Sequence, residues 1–162
     1  LTAGSGVSIT DAGAGSTITI ATTRPLILSA VKTQDQTINS NTTLQDATDL
    51  AFTITETGSY ALEGFIMHKS HATADIKWQF NNSDSGGTFY WNADWSRDVQ
   101  LMTDSSVVVG QGRNSDRVMM PRGIFTVATA PATVKLQFAQ NTSRAQDTIV
   151  YAKSWLTATK IA

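Results

Sequence analysis

The sequence predicts an all-β protein: an antiparallel sandwich or barrel, led by a short glycine-rich β stem. Three observations carry this. Apolar residues alternate with polar ones at period two in about eight to ten short runs, each bounded by Gly, Pro, Asn, Asp or Ser. Threonine and serine are abundant, 24 and 15 of 162 residues, and β-branched threonine suits half-buried sheet surfaces. Only two glutamates and six lysines occur, which argues against long solvated helices.

The stem comes first. Val7 and Ile9 alternate with Ser8 and Thr10, and Ile18 and Ile20 with Thr17 and Thr19, each set following a glycine pair. Such a ribbon buries too little to stand alone in water. The economical remedy is two more copies of the segment around a shared axis. Pro25 cannot donate to a ladder and holds Arg24 extended, so the boundary is expected there: residues 1–23 as stem, 24–162 as one head domain.

The head opens with a strand at Leu26–Lys32. Thr33–Thr48 is polar and reads as a loop with a short strand near Ile38, and Asp46–Ala51 has room for one helical turn. Leu50, Phe52 and Ile54 alternate with Ala51, Thr53 and Thr55. Tyr60–Met67 is apolar on both faces, which means cover on both sides: a partner sheet on one, a neighbouring subunit on the other. Ile76, Trp78 and Phe80 make a one-sided strand, and Asn81–Gly87 is a strong turn signal. Thr88–Asn92, Ser106–Val109, Gly123–Ala128, Val134–Gln140 and Ile149–Ile161 follow, with Pro131 breaking between two of them.

Composition excludes several classes. Charged residues make up 15% of the chain, and the net charge is −1, so no basic footprint for nucleic acid or for an anionic membrane is present. No apolar run reaches the ~20 residues a spanning helix needs. There is no cysteine, so stability must come from the core and from association. The chain opens on Leu1 without a charged-then-apolar leader. The expectation is the C-terminal piece of a longer protein, although a start point chosen for expression would read the same.

The segment LTAGSGVSIT…GSTITIA (Leu1 to Ala21) resembles the glycine-rich segments that precede the distal domains of bacteriophage tail fibres and spikes. The remainder resembles the small jelly-roll heads of such fibres, similar to the tumour-necrosis-factor/C1q fold. NTTLQDATDLAFTITETGSYALEGFI (Asn41 to Ile66) and IVYAKSWLTATKIA (Ile149 to Ala162) carry that likeness. No residue-level binding motif comes with it, since fibre heads vary most where they bind.

Catalytic signatures are missing: no Gly-x-Ser-x-Gly elbow, no cysteine nucleophile, no phosphate loop. His68, His71 and Asp75 invite a metal reading, but residues three apart on a strand point to opposite faces. The expectation is two histidines at an exposed strand end, no metal and no cofactor. Glu56 and Glu63 are the only glutamates; Glu56 is expected in solvent and Glu63 beside an arginine such as Arg122 or Arg144. Asn81, Asn82 and Asp84 read as a plain loop rather than a calcium site.

Two stretches are candidates for binding. Tyr90, Trp91 and Trp95 lie with Asn92, Asp94 and Arg97 in one polar region. Aromatic faces flanked by such groups suit sugar binding, although Trp95 is also suited to plugging the sandwich end or a subunit seam. Gly110–Arg117 is long and polar and carries Arg113, Asp116 and Arg117, which suit either a ligand or a solvated, salt-bridged loop. The resemblance implies a trimeric, non-enzymatic attachment module at the tip of a virion fibre. It would sit on an upstream shaft, assemble in the bacterial cytoplasm and bind a host glycan or outer-membrane receptor. Alternatives are a purely structural trimeric virion protein, such as a capsid-decoration or collar piece, and a C1q-like or adhesin-tip binding domain.

Overall fold

The computed structural model describes residues 7–10, 13, 19–22, 25–93, 102–103 and 106–162. Those residues contain fifteen strands and no helix. β1 (Val7–Thr10) and β2 (Thr19–Thr22) form an antiparallel pair that, among the described residues, joins no other strand. The head follows as β3 (Ile27–Val31), β4 (Gln36–Ile38), β5 (Gln45–Ile54), β6 (Gly58–Lys69), β7 (Ile76–Asn82) and β8 (Phe89–Ala93). It continues through β9 (Met102–Thr103), β10 (Val108–Gly110), β11 (Arg117–Met119), β12 (Pro121–Val127), β13 (Ala132–Gln140), β14 (Thr148–Val150) and β15 (Trp155–Lys160).

Two antiparallel sheets result. The smaller runs β10-β7-β13-β5. The larger runs β3-β15-β6-β12-β8-β9, with β11 and β14 also on β6 and β4 on β14. Sequence alternation sets which side chains enter the space between them. Phe52 and Ile54 of β5, Trp78 and Phe80 of β7, and Leu136 and Phe138 of β13 face Tyr60, Leu62 and Ile66 of β6 and Phe89, Trp91 and Phe125 of β8 and β12, all buried. A file of rings crosses the core. Tyr60 stacks on Phe125 at 5.2 Å, Phe125 on Phe89 at 5.4 Å and Phe89 on Phe80 at 5.0 Å, and Trp91 meets Phe80 edge-on at 4.9 Å. Offset and edge-on rings at these spacings add to what burial alone contributes. Gly64, in the inward row of β6, makes room beside them: a Cβ there would lie 2.5 Å from Leu156 Cδ2 and 3.0 Å from Pro121 Cγ.

The strand register carries three rows across the outward face of the larger sheet. One is Val31–Trp155–Phe65. The second is Ser29–Thr157–Glu63–Arg122–Asn92. The third is Ile27–Thr159–Ala61–Ile124–Tyr90. The flanking rows are apolar and open, Ile27 being 62% and Ile124 50% exposed. Glu63 lies opposite Arg122 in the strand register, one of the two arginines it was expected to pair with. Arg144 lies elsewhere, bonded to Thr73.

Several expectations need correcting. Asp46–Ala51 is not a helical turn but part of β5. Ala47 and Leu50, three apart, both face the core because Asp49 takes φ 69° and the register with β13 shifts between Lys135 and Gln137. A bulge, with an aspartate in the left-handed region, imitates helical spacing. The polar stretch from Gln45 is thus strand, not loop. Glu56 is exposed, as expected, and pairs there with Lys160 at 2.8 Å. Ile149–Ile161 is two strands, β14 and β15, separated by a turn in which Lys153 has φ 68°. Asn81 and Asn82, expected in a loop, end β7 and pair with Lys135 and Val134 of β13; the loop reading holds for Asp84, in a stronger form. Asp84 is buried, and its two carboxylate oxygens accept backbone N–H groups of Gly86, Ala128 and Thr129, tying that loop to the end of β12. Those bonds hold its pKa below the usual carboxylate value.

Candidate functional site

The β10–β11 connection crosses from one sheet to the other over one end of the sandwich. β10 pairs with β7 through Gly110 and Ile76, and β11 pairs with β6 through Arg117 and His68. Residues 111–116 ride on the turn that joins β6 to β7. Ser70 O accepts the N–H groups of Arg113 and Asn114 at 3.1 and 3.0 Å. Asn114 Oδ1 accepts Ala72 N–H, and Asp75 Oδ1 accepts Gly112 N–H at 2.8 Å. Gly112 approaches the carbonyl of His71 so closely that no Cβ fits. The turn is braced from below: Ser70 Oγ donates to Asp75 O, and Thr148 Oγ1 lies 3.0 Å from it.

Two adjoining cavities flank this connection. The smaller, about 340 Å³, is lined by His68, Val109, Gly110, Gln111, Arg113, Arg117 and Val118. The larger, about 660 Å³, is lined by Asp35, Met67, Asp116, Arg117, Val118, Tyr151 and Ala152. Arg117 and Val118 form the wall they share. Arg113 Nη2 donates to Gln111 Oε1 at 3.1 Å, which orients its guanidinium. On the other side Tyr151 donates to Asp116 Oδ1 at 2.8 Å, and Asp35 Oδ1 accepts Ala152 N–H at 2.7 Å.

Electrostatics separate the two cavities. His68 is 3% exposed, edge-on to Trp78 at 5.3 Å. Burial lowers its pKa to about 4, and the charge of Arg117 adds to the effect. At neutral pH the smaller cavity thus draws its charge from two arginines above an uncharged imidazole. Burial pushes Tyr151 up to about 12, helped by its bond to Asp116 and by the charges of Asp116 and Asp35. It stays a phenol donor. The first cavity presents guanidinium N–H groups; the second presents carboxylates, a guanidinium and a hydroxyl. Among the described residues no group of histidines and carboxylates is placed to hold a metal ion.

The residues singled out from sequence fall into three places. Arg113, Asp116 and Arg117 are brought together at the sandwich end. Tyr90 (44% exposed) and Asn92 lie on the outward face of the larger sheet, while Trp91 is 1% exposed inside the core. Asp94, Trp95 and Arg97 lie outside the described residues. Tyr90 neighbours Ile124, which sits opposite Ala61; Arg117 sits opposite His68, seven residues further along β6. That is about 23 Å of strand, so Tyr90 and Arg117 do not share one site. Sequence reasoning missed His68, Gln111, Tyr151 and Asp35. His68 was expected at an exposed strand end, yet it continues the inward parity of Tyr60, Leu62, Gly64 and Ile66; extending that alternation by one step would have found it. Tyr151 and Asp35 arrive from remote parts of the chain, and no local pattern marks them.

No family model and no curated protein matches the sequence. Solved structures do. The Eiger TNF of S. frugiperda superposes on 86% of this chain and 94% of its own, with 9% identity and a TM-score of 0.55. A structure of infectious bursal disease virus, Gt strain, covers 93% of this chain and 37% of its own, with 9% identity and a TM-score of 0.40, too low to argue from. At 9% identity the first likeness establishes the fold: the head is a TNF-like jelly roll.

Proposed function

We propose that this chain is a trimeric attachment module, the distal receptor-binding domain of a fibre such as those of bacteriophage tails. The receptor is a host-surface glycan. The observation that carries this reading is the pinned connection at the sandwich end, which gathers Arg113, Asp116 and Arg117 around two adjoining cavities. A loop set by a rigid scaffold and lined with fork-shaped donors is suited to recognising hydroxyls and acidic groups. The trimer reading is supported by the open apolar rows on the larger sheet, since contiguous apolar surface marks interaction sites. Two further copies of this chain are its occupants, and Tyr90 and Asn92 then belong to the subunit contact. In that assembly three weak sites act together, so avidity supplies most of the affinity. The module binds without chemistry, takes no nucleic acid and enters no membrane. It works outside the cell on the virion tip after assembly in the bacterial cytoplasm.

The same apolar face serves a purely structural trimer equally well, whether a decoration or a collar piece. A C1q-like or adhesin-tip domain shares both features. One experiment separates them. Light scattering at micromolar concentration is expected to give three chains per particle, and a glycan array with whole-cell binding is expected to give a saturable signal. A folded monomer removes the trimer. A trimer that binds no glycan and no cell leaves the structural reading.

A further inference from the structure

We propose that the smaller cavity is a subsite for an acidic sugar, one whose ring carries a carboxylate or a phosphate. This rests on the reading of the chain as a glycan-binding head and names the chemistry of its ligand. Two guanidinium groups, Arg113 and Arg117, line a space of about 340 Å³. That lies at the lower end of the ~300–1,000 Å³ usual for ligand pockets, and suits one sugar unit. Arginine forks match the paired oxygens of carboxylates and phosphates.

The surrounding groups favour an anion here in particular. The nearby carboxylates are turned to other partners: Asp116 accepts from Tyr151 and lines the larger cavity, and Asp75 accepts from Gly112 N–H. Gln111 holds the Arg113 head. Val109 and Val118 supply apolar wall for the C–H face of a sugar ring. The backbone that carries Arg113 is fixed to Ser70 before any ligand arrives, so little ordering is needed on binding. His68 forms part of the lining without adding charge at neutral pH.

The test is a titration of the intact chain, followed by calorimetry or amide NMR shifts, with glucuronate, glucose 6-phosphate and glucose. At least one anionic sugar is expected to bind, with glucose weaker by about tenfold or more, the factor lost when a charged hydrogen bond has no partner. The better of the two anions identifies carboxylate or phosphate as the recognised group. Arg113→Gln and Arg117→Gln are each expected to weaken that binding by about tenfold with unchanged melting temperature, both side chains being exposed. Arg117→Lys is expected to recover only part, since it restores charge but not the fork. Equal binding of glucose, no binding of either anion, or full affinity in the glutamine variants overturns the proposal. Whole-cell binding measured alongside keeps the two readings apart. Glutamine variants that bind cells as well as the original chain defeat this subsite and leave attachment standing. An original chain that binds acidic sugar but no cells defeats attachment and leaves the subsite.

Discussion

His68 is a titratable group enclosed by the sandwich, and its consequence for stability has a definite sign. Its pKa in the folded chain is lowered to about 4, below the ordinary value of about 6.5. The unfolded chain therefore takes up the proton first. Stability is complete above about pH 6.5 and falls as the pH drops towards 4, by at most about 3 kcal/mol. Melting temperature is expected to fall between pH 7.5 and 5, and His68→Leu is expected to flatten that slope; an unchanged slope in the variant would refute the assignment. Asp84 acts in the adjoining window. Its pKa is lowered too, but for a carboxylate this adds stability above the unfolded value near 3.9, lost only as the pH falls further. The burial of Asp84 was half legible: the Asn-Asn-Ser-Asp-Ser-Gly-Gly run announced a turn, yet not that Ala128 and Thr129, more than forty residues on, supply its N–H donors.

At the scale of elements, strands with sustained alternation were readable and short ones were not. β6 and β13 each follow period two over seven residues or more, and β7 over six. β9, β11 and β14 have two or three residues; they exist because β8 and β6 offer them a ladder, and nothing in their own sequence requires it. The bulge at Asp49 failed for a related reason, since its residue spacing fits two periods and only the pairing with β13 decides between them. The inward row of β6 gives a sharp prediction. Gly64→Ala adds a methyl against Leu156, Pro121 and the Trp155 carbonyl, an overpacking that costs about 1–3 kcal/mol. Urea midpoints are expected to drop accordingly. An unchanged midpoint would mean that β15 yields freely, contrary to its pairing with β6 over six residues.

For the whole molecule, the boundary expected at Arg24-Pro25 makes its own prediction. Among the described residues, β1 pairs with β2 and with no strand of the head. Deleting residues 1–23 is expected to leave the far-ultraviolet spectrum of a folded β head. The melting temperature is expected to fall modestly, because in the proposed trimer this segment would clamp three chains and link head unfolding to association. A deletion that fails to fold would make the β1–β2 pair an integral part of the sandwich. The candidate site was legible only in part at this scale. Arg113, Asp116 and Arg117 could be picked out as a polar cluster, but the second wall comes from Asp35 and Tyr151, which only the closed topology brings near.

β6 meets four strands, with β15 and β14 at successive stretches along it and β12 and β11 likewise. These partners enter from far apart in the chain, one group of them only at its end. No local fluctuation can release β6, because each half is held by a different pair. Its amide protons are expected to exchange with deuterium only through global opening, more slowly than those of β10 at the margin of the smaller sheet. The same arrangement delays its completion until β15 has been made, so refolding is expected in milliseconds to seconds, as for non-local β topologies.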